Sequence, residues 1–198
     1  AIPAFVVICA IVIEIRRRWV LHKSFIPFSL LLILSCFAIL FFFETERMKA
    51  QQEIVEDGNR KKIGLWLREH SGEKDRIFLE CLGYIGYYSG RKMLDFPGLA
   101  SPEVVEAAMC DKNGFIVAVE KLAPEWVVAR EFEIKSLLKY KFFRDNYLPV
   151  AEFNVRDKIA KQKHIYGVNY LYYDSFFIIF KNRVANQQLT GSSKYEGD

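Results

Sequence analysis

The sequence predicts an α/β fold carried on a membrane anchor: two N-terminal transmembrane helices, then a small extracytoplasmic α/β domain with a mixed sheet. Three observations predict it. Phe25 to Phe43 is an uninterrupted uncharged run (FIPFSLLLILSCFAILFFF), which as a helix spans about 28 Å, close to the hydrocarbon core of a bilayer. A basic cluster, Arg16, Arg17, Arg18, His22 and Lys23, precedes that run. After Phe43, short apolar strands alternate with helical stretches, the pattern of an α/β sandwich.

The first apolar stretch, Ala1 to Ile13, carries no charge and stops at Glu14. It reaches about two-thirds of the roughly 30 Å core. A signal peptide has its basic residues before the apolar run, whereas here they follow it. Residues 1–15 therefore read as a truncated transmembrane helix, 16–24 as a cytoplasmic basic loop with Trp19 as interfacial anchor, and 25–43 as a transmembrane helix. Pro27 falls in the first turn, where its missing N–H costs nothing. The positive-inside rule puts everything after Phe43 outside the cytoplasm and makes the chain a multi-pass protein of the cell membrane, with the bilayer as partner.

The formal charge of +4 and mean hydropathy of +0.05 average over these two materials. Nearly all acidic residues follow Phe43, and part of the positive charge belongs to the arginine loop. No patch joins clustered Arg and Lys to aromatics as a strand-binding groove would, so nucleic acid is not an expected partner. Cys9 and Cys36 lie in the apolar segments as small apolar residues. Cys81 and Cys110 could pair in an oxidising compartment, and their spacing matches no metal motif.

Residues 44–185 form the expected soluble domain, entered through a helical stalk, Glu44 to Glu56, which Gly58 and Asn59 interrupt. An amphipathic helix from about Arg60 to His70 follows, with Ile63, Trp66 and Leu67 on one face. Arg76 to Cys81 reads as a strand. Tyr84 to Tyr88 are helical turns with Gly90 at a left-handed exit. Arg91 to Asp95 is a second strand and Phe96 to Ala100 a loop. Ser101 is an N-cap with Pro102 behind it, on a helix reaching Met109. Gly114 to Leu122 is helical, Glu125 to Ala129 a strand, and Glu131 to Tyr140 helical. Tyr147 to Val155 and Asp174 to Lys181 are the last strands, adjacent to each other. The polar tail, 186–198, reads as disordered.

No residue of the chain is assigned a catalytic role, and neither a metal nor a cofactor is expected. Gly83, Gly86 and Gly90 follow a strand, but their G-x-x-G-x-x-x-G spacing is not the dinucleotide fingerprint. His22, His70 and His164 lie far apart, without ligand spacing. Ser101 has no G-x-S-x-G elbow around it. Arg91 and Asp95 are the candidate substrate-binding residues, because they bracket a strand that leads into a Gly-Pro loop. The competing reading is structural, with Asp95 capping loop N–H groups and Arg91 solvated or paired. Glu80, inside an apolar strand, is expected to face solvent.

The stretch Gly83-Tyr84-Ile85-Gly86-Tyr87-Tyr88, with Gly90-Arg91, Asp95 and Gly98-Leu99-Ala100-Ser101-Pro102-Glu103-Val104, resembles the C-terminal domain of bacterial polytopic GT-C type glycosyltransferases. These are similar to protein O-mannosyltransferases and the aminoarabinose transferases of lipid A. Pro124-Glu125-Trp126-Val127-Val128 looks like that family's P-x-(W/Y)-V-V strand, and Trp66-Leu67-Arg68-Glu69 before the first strand fits as well. The resemblance implies a parent enzyme that transfers a sugar from a polyprenyl-phosphate donor to an extracytoplasmic acceptor. Its catalytic carboxylate would stand on an early outer loop that this chain lacks, so the chain is expected to be a non-catalytic portion, inactive alone. The alternative is a membrane-anchored binding or scaffolding module without transferase activity.

Overall fold

The computed structural model describes residues 2–18, 25–109 and 113–183. Most of the expected basic loop, Cys110 with its possible bridge to Cys81, and the expected tail at 186–198 lie outside them. The chain divides into two compact units, Ala1–Glu46 and Arg47–Asp198.

The first unit holds α1 (Ile2–Arg18) and most of α2 (Phe25–Ala50). Among the described residues one helical run, Phe28–His70, is long and apolar enough to cross a membrane, and none of its apolar window is buried. The second expected span is not matched. α1 has 17 residues and closes on a charged end, Glu14 to Arg18, which leaves its apolar part short of the roughly 20 residues a crossing needs.

The second unit is an α/β/α sandwich around a five-stranded mixed sheet of order β2-β1-β3-β5-β4. Its strands are β1 (Arg76–Leu79), β2 (Lys92–Asp95), β3 (Trp126–Arg130), β4 (Tyr147–Asn154) and β5 (Phe176–Asn182). β1 pairs in parallel with both β2 and β3, and β5 pairs antiparallel with β3 and β4. The two last strands are thus adjacent, as the sequence predicts.

Alternation along the central strands builds two cores. Ile77, Leu79, Trp126, Val128, Phe177 and Ile179 face one layer, where α3 (Lys61–His70) and α4 (Leu82–Ser89) pack. Phe78, Leu94, Val127, Ala129 and Phe180 face the other. That layer holds α5 (Pro102–Ala108), α6 (Gly114–Leu122), α7 (Glu131–Leu137) and α8 (Lys141–Asn146). Burial on both faces explains why the parallel strands read as continuous apolar runs.

The expected break at Gly58 and Asn59 does not occur. Helix continues through a π-helical segment, Gln51–Arg60, whose wider turn pairs side chains five apart: Gln52 Nε2 donates to Asp57 Oδ2 at 2.9 Å. From Ala50 onward one face of the expected stalk is buried instead of free. Ala50, Ile54 and Val55 pack with Val155, Ile159, Ile165, Val168 and Leu171 in a third core. This core is completed by α9 (Arg156–Ala160) and a 3-10 segment, Val168–Asp174, which the sequence reading did not separate from loop.

Candidate functional site

The site follows from the sheet order. β1 leads through α4 to β2 on one side, and β2 leads through α5 and α6 to β3 on the other. The order of connection therefore reverses at the carboxyl end of β1, the topological switch point where open α/β sheets hold ligands. A cavity of about 330 Å³ opens there. Its lining comes from just past each parallel strand: Glu80 after β1, Phe96 after β2, and Phe132, Glu133 and Ser136 on α7 after β3. Asn113 to Ile116, at the start of α6, closes it. Phe96 and Phe115 meet edge to face, with centroids 5.3 Å apart.

Arg130, the last residue of β3, organises the polar wall and is only 3 % exposed. Its guanidinium lies 2.5 Å from Glu80 Oε2, 3.4 Å from Asp174 Oδ1 and 3.5 Å from Glu133 Oε1. Tyr173 and Phe132 place their rings 4.7 and 5.1 Å from it, so aromatic faces replace water around a buried cation. The network continues inward: Asp174 Oδ2 pairs with Arg60 at 2.6 Å, and Arg60 with Glu56 at 2.7 Å. Cys81 adds its thiol, 3.5 Å from Asp174 Oδ1. Burial, and then Asp174, push that thiol up to about 12, which favours the protonated thiol over the nucleophilic thiolate.

The cluster joins four carboxyls, Glu56, Glu80, Glu133 and Asp174, to two guanidinium groups. A buried excess of negative charge is costly, and a protein relieves it by holding a proton. Glu133 is the carboxyl of this cluster whose pKa is raised. It sits at the third position of α7, where its Oε2 accepts the Arg130 N–H at 2.6 Å, an arrangement that caps the helix. Burial first, and the Glu80 carboxyl second, raise its pKa from 4.5 to about 7. The cavity wall thus presents a carboxyl that donates or accepts near neutrality, beside the Arg130 guanidinium and between phenylalanine rings.

The sequence-predicted candidates sit elsewhere and are not joined. Arg91 closes the end of α3: its Nη2 donates to Arg68 O at 2.8 Å and Ser71 O at 3.0 Å, and its Nε to Ser71 Oγ at 3.0 Å. Asp95, 2 % exposed, accepts the N–H groups of Leu99 at 2.7 Å and Ala100 at 3.0 Å. Ser101 is buried too, with Oγ 2.7 Å from Asp95 Oδ1. It does not cap α5 through its side chain; the hydroxyl is held by Asp95 and the strand instead. Asp95 therefore fixes the loop that carries Phe96 to the cavity. Glu80 is exposed, as expected, but it stands just past the strand end and pairs there with Arg130. Gly83 and Gly86 are helical, and Gly90 takes the left-handed exit, φ 62°. Among the described residues, no group of three or more His, Cys, Asp or Glu is arranged to hold a metal.

Sequence reasoning missed Arg130, Glu133 and Asp174. A signal was present: a charged residue at the carboxyl end of each of two apolar strands, Glu80 and Arg130, with a carboxylate three residues beyond the second.

The family described as a domain of unknown function, DUF8728, matches residues 46–174. The chain belongs to that family. The DUF8728 match takes in every residue of the cavity and its charge network, ending on Asp174, and leaves the apolar run of α2 outside. No curated protein and no solved structure matches the chain.

Proposed function

We propose that this chain is the C-terminal, non-catalytic part of an integral membrane glycosyltransferase, which moves a sugar from a polyprenyl-phosphate donor to an extracytoplasmic acceptor. In this reading the cavity at the carboxyl end of β1 holds the acceptor. The cavity's lining is the observation that carries it. Ring hydroxyls need convergent donors and acceptors, which Glu80, Glu133 and Ser136 supply. The apolar faces of a sugar need flat apolar walls, which Phe96, Phe115 and Phe132 supply; few polar groups among aromatic ones is the general make-up of a small-molecule site. The exposed apolar window of α2 supports the membrane part of the reading.

The test uses the full-length protein in liposomes with labelled polyprenyl-phosphate sugars. Transfer to an acceptor is expected. Ser136→Trp, at an exposed position on the cavity rim, should raise the KM for acceptor at least tenfold while leaving the KM for the lipid donor unchanged. Absence of transfer from every polyprenyl-phosphate donor tried would sink the proposal, and a binding module would be what remains.

A further inference from the structure

We infer that the cavity past β1 takes a ligand with a primary ammonium group, which donates to Glu133 and rests among the phenylalanine rings. The inference rests on the reading of this cavity as the acceptor's place, and it makes that acceptor an amine.

An unmet hydrogen-bond acceptor carries it. Glu133 is only 6 % exposed and belongs to the cavity wall. Its Oε2 is occupied by the Arg130 N–H at 2.6 Å. Its Oε1 is buried and accepts no hydrogen bond. Arg130 Nε stands 3.5 Å from that oxygen and is itself without a hydrogen bond, so the two groups do not satisfy each other. A buried carboxylate oxygen with no donor has lost its hydration and gained nothing in return. Such an atom in a cavity wall is matched by a donor that arrives with the ligand.

The charge of the wall selects the donor. Arg130 is shared by Glu80, Glu133 and Asp174, and Arg60 by Glu56 and Asp174, so neither guanidinium is spare. Among the described residues, the cavity lining contains Glu80 and Glu133 and no lysine or arginine. A hydroxyl would supply the hydrogen bond without the charge, and a quaternary ammonium the charge without the hydrogen bond. A primary ammonium supplies both, in a charge-assisted hydrogen bond. The rest of the lining agrees. Phe96, Phe115 and Phe132 offer no hydrogen bonds, but aromatic rings attract cations. The same wall already holds one cation in this way, with the Phe132 and Tyr173 rings 5.1 and 4.7 Å from the Arg130 guanidinium.

The experiment compares two probes of one shape, methyl glucopyranoside and methyl 6-amino-6-deoxyglucopyranoside, which carries an ammonium in place of one hydroxyl. Each is titrated by calorimetry into the full chain in a polyoxyethylene detergent, which contains no competing sugar. The pH is held at 8, where Glu133, with its pKa of about 7, is mainly ionised. The amino sugar should bind at least about tenfold more tightly than its parent, the scale of one hydrogen bond to a charged group. Glu133→Gln, which keeps the shape and removes the charge, should bring the two affinities together. Equal affinities on the natural chain, a comparison that needs no variant to fold, would overturn the ammonium inference and leave the sugar acceptor standing. A preference for the amine that survives Glu133→Gln would overturn it as well. Binding of neither probe would overturn the inference together with the acceptor's place in this cavity. Preference for the amine in a protein that transfers no sugar from any lipid donor would uphold the ammonium site and sink the transferase reading alone.

Discussion

Glu133 is the residue through which the cavity senses pH. Its pKa is raised, so the folded chain keeps a proton that the unfolded chain releases above about 4.5. Stability is therefore highest below that value and declines as pH climbs toward about 7. Urea unfolding of the full chain in detergent, followed by tryptophan fluorescence between pH 5 and 8, should show this decline, and Glu133→Gln should remove most of it. Parallel curves for the two proteins would mean that Glu133 is ionised throughout. Arg130 is the complementary case. Removing it takes the cation from Glu80 and from the buried Glu133, and leaves Asp174 with Arg60 alone, so Arg130→Ala should cost about 3 to 5 kcal/mol in the same assay. Arg130→Lys should recover only part, since one ammonium cannot reach three carboxyls as a planar fork does. The sequence marked both residues only as charges at strand ends and not these roles, because a charge's environment depends on which strand ends lie side by side.

Elements show why some boundaries were legible and others not. The strand readings fell within a residue or two of β1, β2, β3 and β4, and α6 matches its predicted bounds, because apolar runs flanked by Gly, Pro and Asn leave few other pairings. The π-helical segment went unseen. Gly58 and Asn59 are breakers by local preference, yet here Asn59 is 1 % exposed and donates to Asp174 O at 3.1 Å, a tertiary contact that outweighs propensity. Gly64 makes the same point between helices. A Cβ there would lie 2.8 Å from Tyr88 Cβ and 2.9 Å from Ile85 O, so α3 and α4 meet closely only because this residue has no side chain. Gly64→Ala should force them apart and cost about 1 to 3 kcal/mol in denaturant unfolding, although alanine is the better helix former. A stabilised variant would show that the two helices can separate freely.

At the scale of the whole molecule, the charge arrangement around the apolar segments predicts orientation. Alkaline phosphatase fused after Asp198 should be active, and a reporter that works only in the cytoplasm should be silent; the reverse pattern would place the α/β unit inside the cell. By itself the sequence determined the division of material, an uncharged run of bilayer length ahead of an alternating α/β pattern, because hydropathy and periodicity are local properties of the chain. It also determined that Arg91 and Asp95 stand at strand ends. Only the tertiary structure decided that Glu80, Arg130, Glu133 and Asp174 meet in one charge network around the buried Arg130 and that Asp95 spends its oxygens on its own loop. Those residues are brought together by the strand order β2-β1-β3-β5, which is fixed by packing two apolar faces at once and by no single segment of the chain.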